Sequence, residues 1–136
     1  MNEFSVNKNY NWQEGSQPLV KKYVADLHQD GSPTPPMATE LFNNTGMFAT
    51  YEYIDPGVYS VILSENVFDN NMGQKCQATI TNNTYIDNLG GPNGYSVTVF
   101  PVWYNVLIIL TSNLNSETDG ILGDQQQNAL ELTIYP

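Results

Sequence analysis

The chain has 136 residues, a length typical of one domain, and 14 acidic residues against four lysines give it a formal net charge of −10. Nucleic acids and anionic membrane surfaces are unfavourable partners, because both are bound through cationic side chains. The lone cysteine, Cys76, excludes an intrachain disulfide. The chain has no leader-like start and no apolar run of about 20 residues. We therefore expect a protein made in the cytoplasm without a signal peptide or membrane anchor.

Residues 1–18 are polar and rich in asparagine, and they end in Gly15-Ser16-Gln17-Pro18. Such a segment is expected to be disordered by itself. Phe4, Tyr10 and Trp12 are spaced through it, and we predict that they serve assembly or attachment. Two interpretations stay open: this N-terminal arm packs on its own domain, or it docks on a neighbouring subunit.

From residue 19 onward, alternating side chains and turn residues predict seven or eight strands and no amphipathic helix. Residues 19–136 are therefore predicted to form an all-β domain, an antiparallel β-sandwich or a jelly-roll-like fold. The predicted strands are Leu19–Leu27, Ala38–Phe42, Met47–Ile54, Val58–Leu63, Gln74–Thr81, Tyr95–Val102, Trp103–Thr111 and Ala129–Tyr135. In the first strand, one face is expected to carry Leu19, Tyr23, Ala25 and Leu27.

Three local features refine this prediction. Asp55-Pro56-Gly57 predicts a tight turn, because Pro presets one central position and Gly supplies a positive φ at the next. Val106–Leu110 is apolar on both faces, which predicts a central strand covered on both sides. Residues 112–127 predict a polar loop, and the strand after it must pair with an earlier strand or with a neighbouring subunit.

Few side chains in the chain suit catalysis. His28, the only histidine, lies between Asp26 and Asp30 and is interpreted as a surface residue at a strand end rather than a general base. Cys76 alternates with apolar residues, which is typical of a buried structural thiol and not of a nucleophile with a nearby base. We therefore predict a protein that is not an enzyme and has no catalytic residues.

Metal and cofactor sites are not predicted either. One cysteine and one histidine are too few for a zinc site. Glu117, Asp119 and Asp124 share one loop and offer oxygen ligands for calcium, but their spacing does not match the helix–loop–helix calcium motif. The preferred interpretation of these three acids is a solvated acidic loop, and no cofactor is expected.

Aromatic residues give the clearest indication of binding. Tyr51, Tyr53, Trp103 and Tyr104 are candidates for a ligand platform, since a flat ring stacks on a sugar face. Tyr and Trp are also enriched at protein interfaces. The simpler alternative is that these rings fill the core of the sandwich.

Several segments together resemble small proteins and terminal domains encoded by bacteriophages, particularly phages of Bacteroidetes-type hosts. The resemblance spans residues 23–136 and leaves out the arm. The segments that carry it are Tyr23-Val24-Ala25-Asp26-Leu27, Gln29-Asp30-Gly31 with the Pro-containing loop after it, Asn44-Thr45-Gly46, Pro56-Gly57-Val58-Tyr59, Asp119-Gly120-Ile121-Leu122 and Leu130-Glu131-Leu132-Thr133-Ile134-Tyr135-Pro136. It implies a virion-associated β protein, such as a head fibre, decoration or tail component, and it brings no catalytic residues.

The sequence thus supports two hypotheses about function. The first is a non-enzymatic phage structural protein, located in the virion, that forms a homo-oligomer (a trimer is favoured) and contacts other virion proteins. The alternative is a carbohydrate-binding module whose Tyr/Trp platform recognises a glycan of the host surface.

Overall fold

The computed structural model describes residues 19–68, 76–83, 95–113, 116–123 and 127–136, and the regular elements in these ranges are all β-strands. In chain order they are β1 (Lys21–His28), β2 (Met37–Asn43), β3 (Ala49–Asp55), β4 (Val58–Leu63), β5 (Cys76–Asn83), β6 (Tyr95–Trp103), β7 (Val106–Asn113), β8 (Ser116–Glu117) and β9 (Gln127–Ile134). The prediction of an all-β domain is confirmed.

The strands form two antiparallel sheets that pack face to face as a sandwich. One sheet has four strands in the order β2-β1-β9-β5. The other has the order β3-β4-β7-β6, with the short β8 also paired to β7. The last strand pairs with two earlier strands, β1 and β5, which resolves the open question about its partner.

Alternating residues of both sheets fill the space between them. In the four-stranded sheet, Leu130 and Leu132 of β9 are fully buried, and in the five-stranded sheet so are Leu107 and Ile109 of β7. The residues between them point the other way, as the two-residue period of a strand requires. Each such buried aliphatic side chain contributes about 1.5–3 kcal/mol relative to leaving it in water.

Three details of the predicted strands differ from the structure. Leu19 precedes β1 and is 73% exposed, so it does not share the buried face of Tyr23. Trp103 ends β6 instead of opening β7, because the hairpin turn falls at Tyr104 and Asn105. The predicted loop 112–127 contains β8, which brings the described strands to nine.

The prediction that β7 is covered on both faces is wrong for the part of the chain that the structure describes. Leu107, Ile109 and Thr111 are fully buried on its inner face. Val106 and Ile108, on its outer face, are only partly buried.

Candidate functional site

His28 and Cys76 lie at opposite ends of the four-stranded sheet. Cys76 is level with Ile134 of β9 and hence with Lys21, the first residue of β1, whereas His28 is the last residue of that strand. Seven residues of strand separate the two levels, a distance of about 24 Å. Cys76 is fully buried, and burial raises the pKa of its thiol to about 11. The structure therefore does not combine these two residues into a catalytic pair.

Asp119 fastens the loop after β8 to the β3–β4 hairpin. Its carboxylate accepts hydrogen bonds from the Tyr59 hydroxyl at 2.6 Å, the Tyr53 hydroxyl at 2.8 Å and the Gly57 backbone N–H at 2.8 Å. Burial, together with the adjacent carboxylate, raises the pKa of Tyr53 to about 12 and also raises the pKa of Tyr59. Asp119 is thus a structural hydrogen-bond acceptor and not part of a solvated acidic loop.

Gly57, whose backbone N–H donates to Asp119, lies at a position that only glycine can occupy. It has a φ of +73°, and a Cβ at this position would collide with the backbone of Thr111 and Thr118. The backbone N–H of Thr111 donates to the Gly57 carbonyl at 2.8 Å, and the Thr111 hydroxyl donates to the Thr118 carbonyl at 2.7 Å. The turn, β7 and the loop after β8 therefore pack backbone against backbone.

Gln29 joins the β1–β2 loop to this cluster. Its side chain is buried, with its Oε1 accepting from the backbone N–H groups of Gly31 at 3.0 Å and Gly120 at 2.6 Å. Its Nε2 donates to the carbonyls of Ser32 and Thr34. Three loops are thereby held at one end of the sandwich, which we name the closed end.

Among the described residues, the acids considered as calcium ligands do not form a cluster. Both carboxylate oxygens of Asp119 already accept hydrogen bonds from the protein. Glu117 is exposed in β8, and Asp124 lies outside the described residues. Among the residues that the structure places, no three His, Cys, Asp or Glu side chains come together in a way that could hold a metal ion.

The four predicted platform residues do not form one surface. Tyr51 and Tyr53 lie on the inner face of β3, opposite the fully buried Val61 and Tyr59. Their hydroxyls are engaged, that of Tyr51 with Tyr23 at 2.8 Å and that of Tyr53 with Asp119. The alternation in the sequence places Tyr51 and Tyr53 on one face of the strand but does not show that this face is the inner one. Their hydroxyl partners, Tyr23 and Asp119, are distant in sequence.

Trp103 and Tyr104 remain as an exposed aromatic pair at the opposite end of the sandwich. Trp103 is 62% exposed and Tyr104 is 37% exposed. Their ring centroids are 5.2 Å apart and their planes meet at 61°, an edge-on arrangement rather than a flat platform. The predicted arm residues Phe4, Tyr10 and Trp12 lie outside the residues that the structure describes.

No family model matches the chain, and no match was found among curated proteins or solved structures. None of the described residues belongs to a helix long and apolar enough to cross a membrane. The functional assignment therefore depends on the surfaces of the sandwich itself.

The two outer faces of the sandwich differ in chemistry. The four-stranded sheet presents polar residues such as Thr79, Glu131 and Lys22, the last two joined by a salt bridge of 3.0 Å. The five-stranded sheet instead presents partly buried or exposed apolar side chains, which we name the outer patch. They are Val58, Ile62, Phe100, Trp103, Val106, Ile108 and Leu110.

The register shows that the outer patch is continuous. Phe100 of β6 lies opposite Ile108 of β7, and Val106 of β7 lies between Trp103 and Ile62. Within the described residues, the outward positions of β4, β6 and β7 carry no charge, and the acids of this face, Glu52 and Asp55, are on the edge strand β3. The sequence indicates this surface, because Val106–Leu110 is apolar on both faces, but the same pattern also predicts a strand covered on both sides.

Proposed function

We propose that this protein is a non-enzymatic structural protein of a phage virion, acting as a subunit that assembles with copies of itself and attaches to other virion proteins. The observation that supports the proposal most is the outer patch. Monomeric soluble proteins rarely expose a large continuous apolar surface, and such patches usually mark interaction sites. The phage assignment itself comes from the sequence resemblance.

A second copy of the chain is the partner that best fits the outer patch. The chain carries a net charge of −10, so two copies repel each other wherever their carboxylates meet. The centre of the outer patch is free of charge in the described residues, so it is a surface on which copies can approach without that repulsion.

The size of the outer patch suits the centre of a subunit interface. Three strands spaced about 4.8 Å apart, with about six residues each at about 3.4 Å per residue, give a flat area of roughly 300 Å². A standard interface takes about 800 Å² of accessible surface from each partner. The outer patch therefore fills the middle of such an interface and leaves room for further contacts around it.

The proposal is tested by measuring the mass of the protein in solution. The wild-type chain is expected to sediment as a multiple of 15.2 kDa, with a trimer favoured. Phe100→Lys places a charge within the outer patch, next to Ile108, and should shift the mass toward the monomer. Thr79→Lys, an equal charge on the polar outer face, is the matched control and should leave the mass unchanged.

Two outcomes would contradict the proposal. One is a wild-type chain that stays monomeric at micromolar concentrations, and the other is equal loss of association in both lysine variants. Far-ultraviolet circular dichroism of each variant separates loss of association from loss of fold. Mass spectrometry of purified phage particles tests the virion assignment directly, because a structural component must be present in them.

Glycan binding is the alternative function, and the structure also suggests a test of it. Its platform is reduced to the edge-on pair of Trp103 and Tyr104, since the other two candidate rings face inward. Trp103→Ala should abolish binding on a glycan array if this function is correct. Glycan binding that depends on Trp103, by a wild-type chain that is monomeric, would favour the module over the assembly protein.

A further inference from the structure

The N-terminal arm has the sequence of a β-strand with one apolar side. The odd positions from 3 to 13 are all polar, and the apolar residues stand at even positions: Phe4, Val6, Tyr10 and Trp12. This two-residue period predicts an extended strand over residues 4–12, with its apolar side chains on one face. A single strand is not stable alone in water, so it needs the edge of a sheet to pair with.

β2 offers such an edge. It forms one end of the four-stranded sheet and pairs with β1 alone among the described strands. Its side chains are exposed at every position except the last, and Met37, Leu41 and Phe42 are each more than half exposed. An edge strand presents a row of unpaired backbone N–H and C=O groups, which recruits another strand unless it is protected.

The geometry points to residues 4–12 of one copy pairing antiparallel with β2 of a second copy. Lys8 is the midpoint of the predicted strand and the only lysine in residues 1–18, and Glu40 is the midpoint of β2 and its only charged residue. Pairing the two midpoints places Lys8 opposite Glu40, and opposite charges directly across a strand pair stabilise it. The edge strand β3 of the other sheet carries two acids, Glu52 and Asp55, and is the poorer match.

The chain between the arm and β1 is too short for the arm to reach β2 of its own copy in this register. In this register residue 12 lies level with the start of β2, next to Met37, which is opposite His28. Leu19 precedes β1 by two residues, and nine residues of nearly straight chain, about 30 Å, separate it from His28. The seven steps from residue 12 to residue 19 span at most about 25 Å. An arm that pairs with β2 in this register therefore has to come from a neighbouring subunit.

This arrangement deepens the proposed function and rests on it, because the arm adds a second contact to subunits that already meet at the outer patch. Each copy donates one arm and receives one at β2. Reciprocal exchange closes a dimer, and head-to-tail exchange closes a ring such as a trimer. The paired arm also adds contact area to an interface that is larger than the outer patch alone.

A charge exchange tests the pairing in the full-length chain. Lys8→Glu and Glu40→Lys each place like charges opposite each other, and each should weaken association by a few-fold to about tenfold. An equimolar mixture of the two variants should strengthen association, because an arm of one variant then meets an oppositely charged β2 on the other, at both contacts of a dimer and at two of the three contacts of a trimer. An arm bound to its own β2 would gain nothing from mixing.

The sign of the response separates this pairing from general repulsion. Glu40→Lys lowers the net negative charge, so a purely global effect would strengthen association instead of weakening it. Glu65→Lys makes the same change at an exposed position away from β2 and is the matched control, which should not weaken association. Sedimentation equilibrium of the two single variants, their mixture and the control gives the four association constants. A mixture no stronger than the single variants would overturn the inference.

A disulfide between chains gives an independent measurement. Asn9 and Thr39 face each other in the same register, so chains carrying Asn9→Cys, mixed with chains carrying Thr39→Cys, should form a mixed disulfide dimer on oxidation. Cys76 is buried and does not compete. Thr79→Cys, exposed on β5, replaces the β2 cysteine in the control mixture. Equal cross-linking in both mixtures would overturn the pairing.

These results also separate the two proposals. If Phe100→Lys dissociates the oligomer while the charge mixture and the disulfide both fail, the outer patch stands and the arm pairing is wrong. If the wild-type chain is monomeric, the assembly function itself is wrong.

Discussion

Replacing Asp119 by alanine should strongly destabilise the closed end. The variant removes the acceptor of three hydrogen bonds at 2.6–2.8 Å, from Tyr53, Tyr59 and the Gly57 backbone. A hydrogen bond to a charged group contributes about 1.5–3 kcal/mol. The Tyr53 hydroxyl can regain water, whereas Tyr59 is fully buried and loses its acceptor. We therefore expect a loss of about 3–5 kcal/mol from a domain whose total stability is about 5–15 kcal/mol.

Urea denaturation, followed by tyrosine and tryptophan fluorescence, measures this loss. Glu117→Ala, in the same loop but exposed, is the control and should change the free energy of unfolding by less than about 0.5 kcal/mol. In a Tyr59→Phe background, Asp119→Ala should cost at least about 1 kcal/mol less, because one of its partners is already absent. A loss under about 1 kcal/mol in the wild-type background, or the same loss in both backgrounds, would refute the role assigned to Asp119.

Three further predictions follow from the fold. The pKa of Tyr53 is raised to about 12 in the folded state, so stability should be complete below pH 10 and fall as the pH rises toward 12, with a smaller fall in Tyr53→Phe. Gly57→Ala should cost several kcal/mol or prevent folding, whereas Gly46→Ala, at a positive φ with open space around it, should cost about 1 kcal/mol in thermal denaturation. Leu130→Ala, at a fully buried position of β9, should cost about 2–5 kcal/mol in urea.

Strands and turns were predictable from the sequence because they depend on local chemistry. The alternation in Met47–Ile54 and the Asp55-Pro56-Gly57 turn both depend on residues that are neighbours in the sequence. The eight predicted strands all exist, with ends displaced by a few residues. Leu19 was placed on the buried face because alternation alone does not say where a strand begins.

The closed end was not predictable because its contacts join distant parts of the chain. Asp119 reaches Tyr59 across 60 residues, and Gln29 reaches Gly120 across 91. Nothing in the local sequence of either polar residue distinguishes burial from exposure. The outer patch was missed for another reason: a strand apolar on both faces has the same sequence whether its second face is covered by its own chain or by a partner.

The position of β9 between β1 and β5 has a consequence for how the protein is made. A ribosome delivers β1 and β2 early, but their sheet lacks its central strand until residues 127–134 have been synthesised. The nascent β1 then has an unsatisfied edge and an uncovered apolar side throughout translation, which exposes it to aggregation. We therefore expect emergence of residues 127–134, not of the first half of the domain, to trigger folding, and expression at high temperature to depend on chaperones.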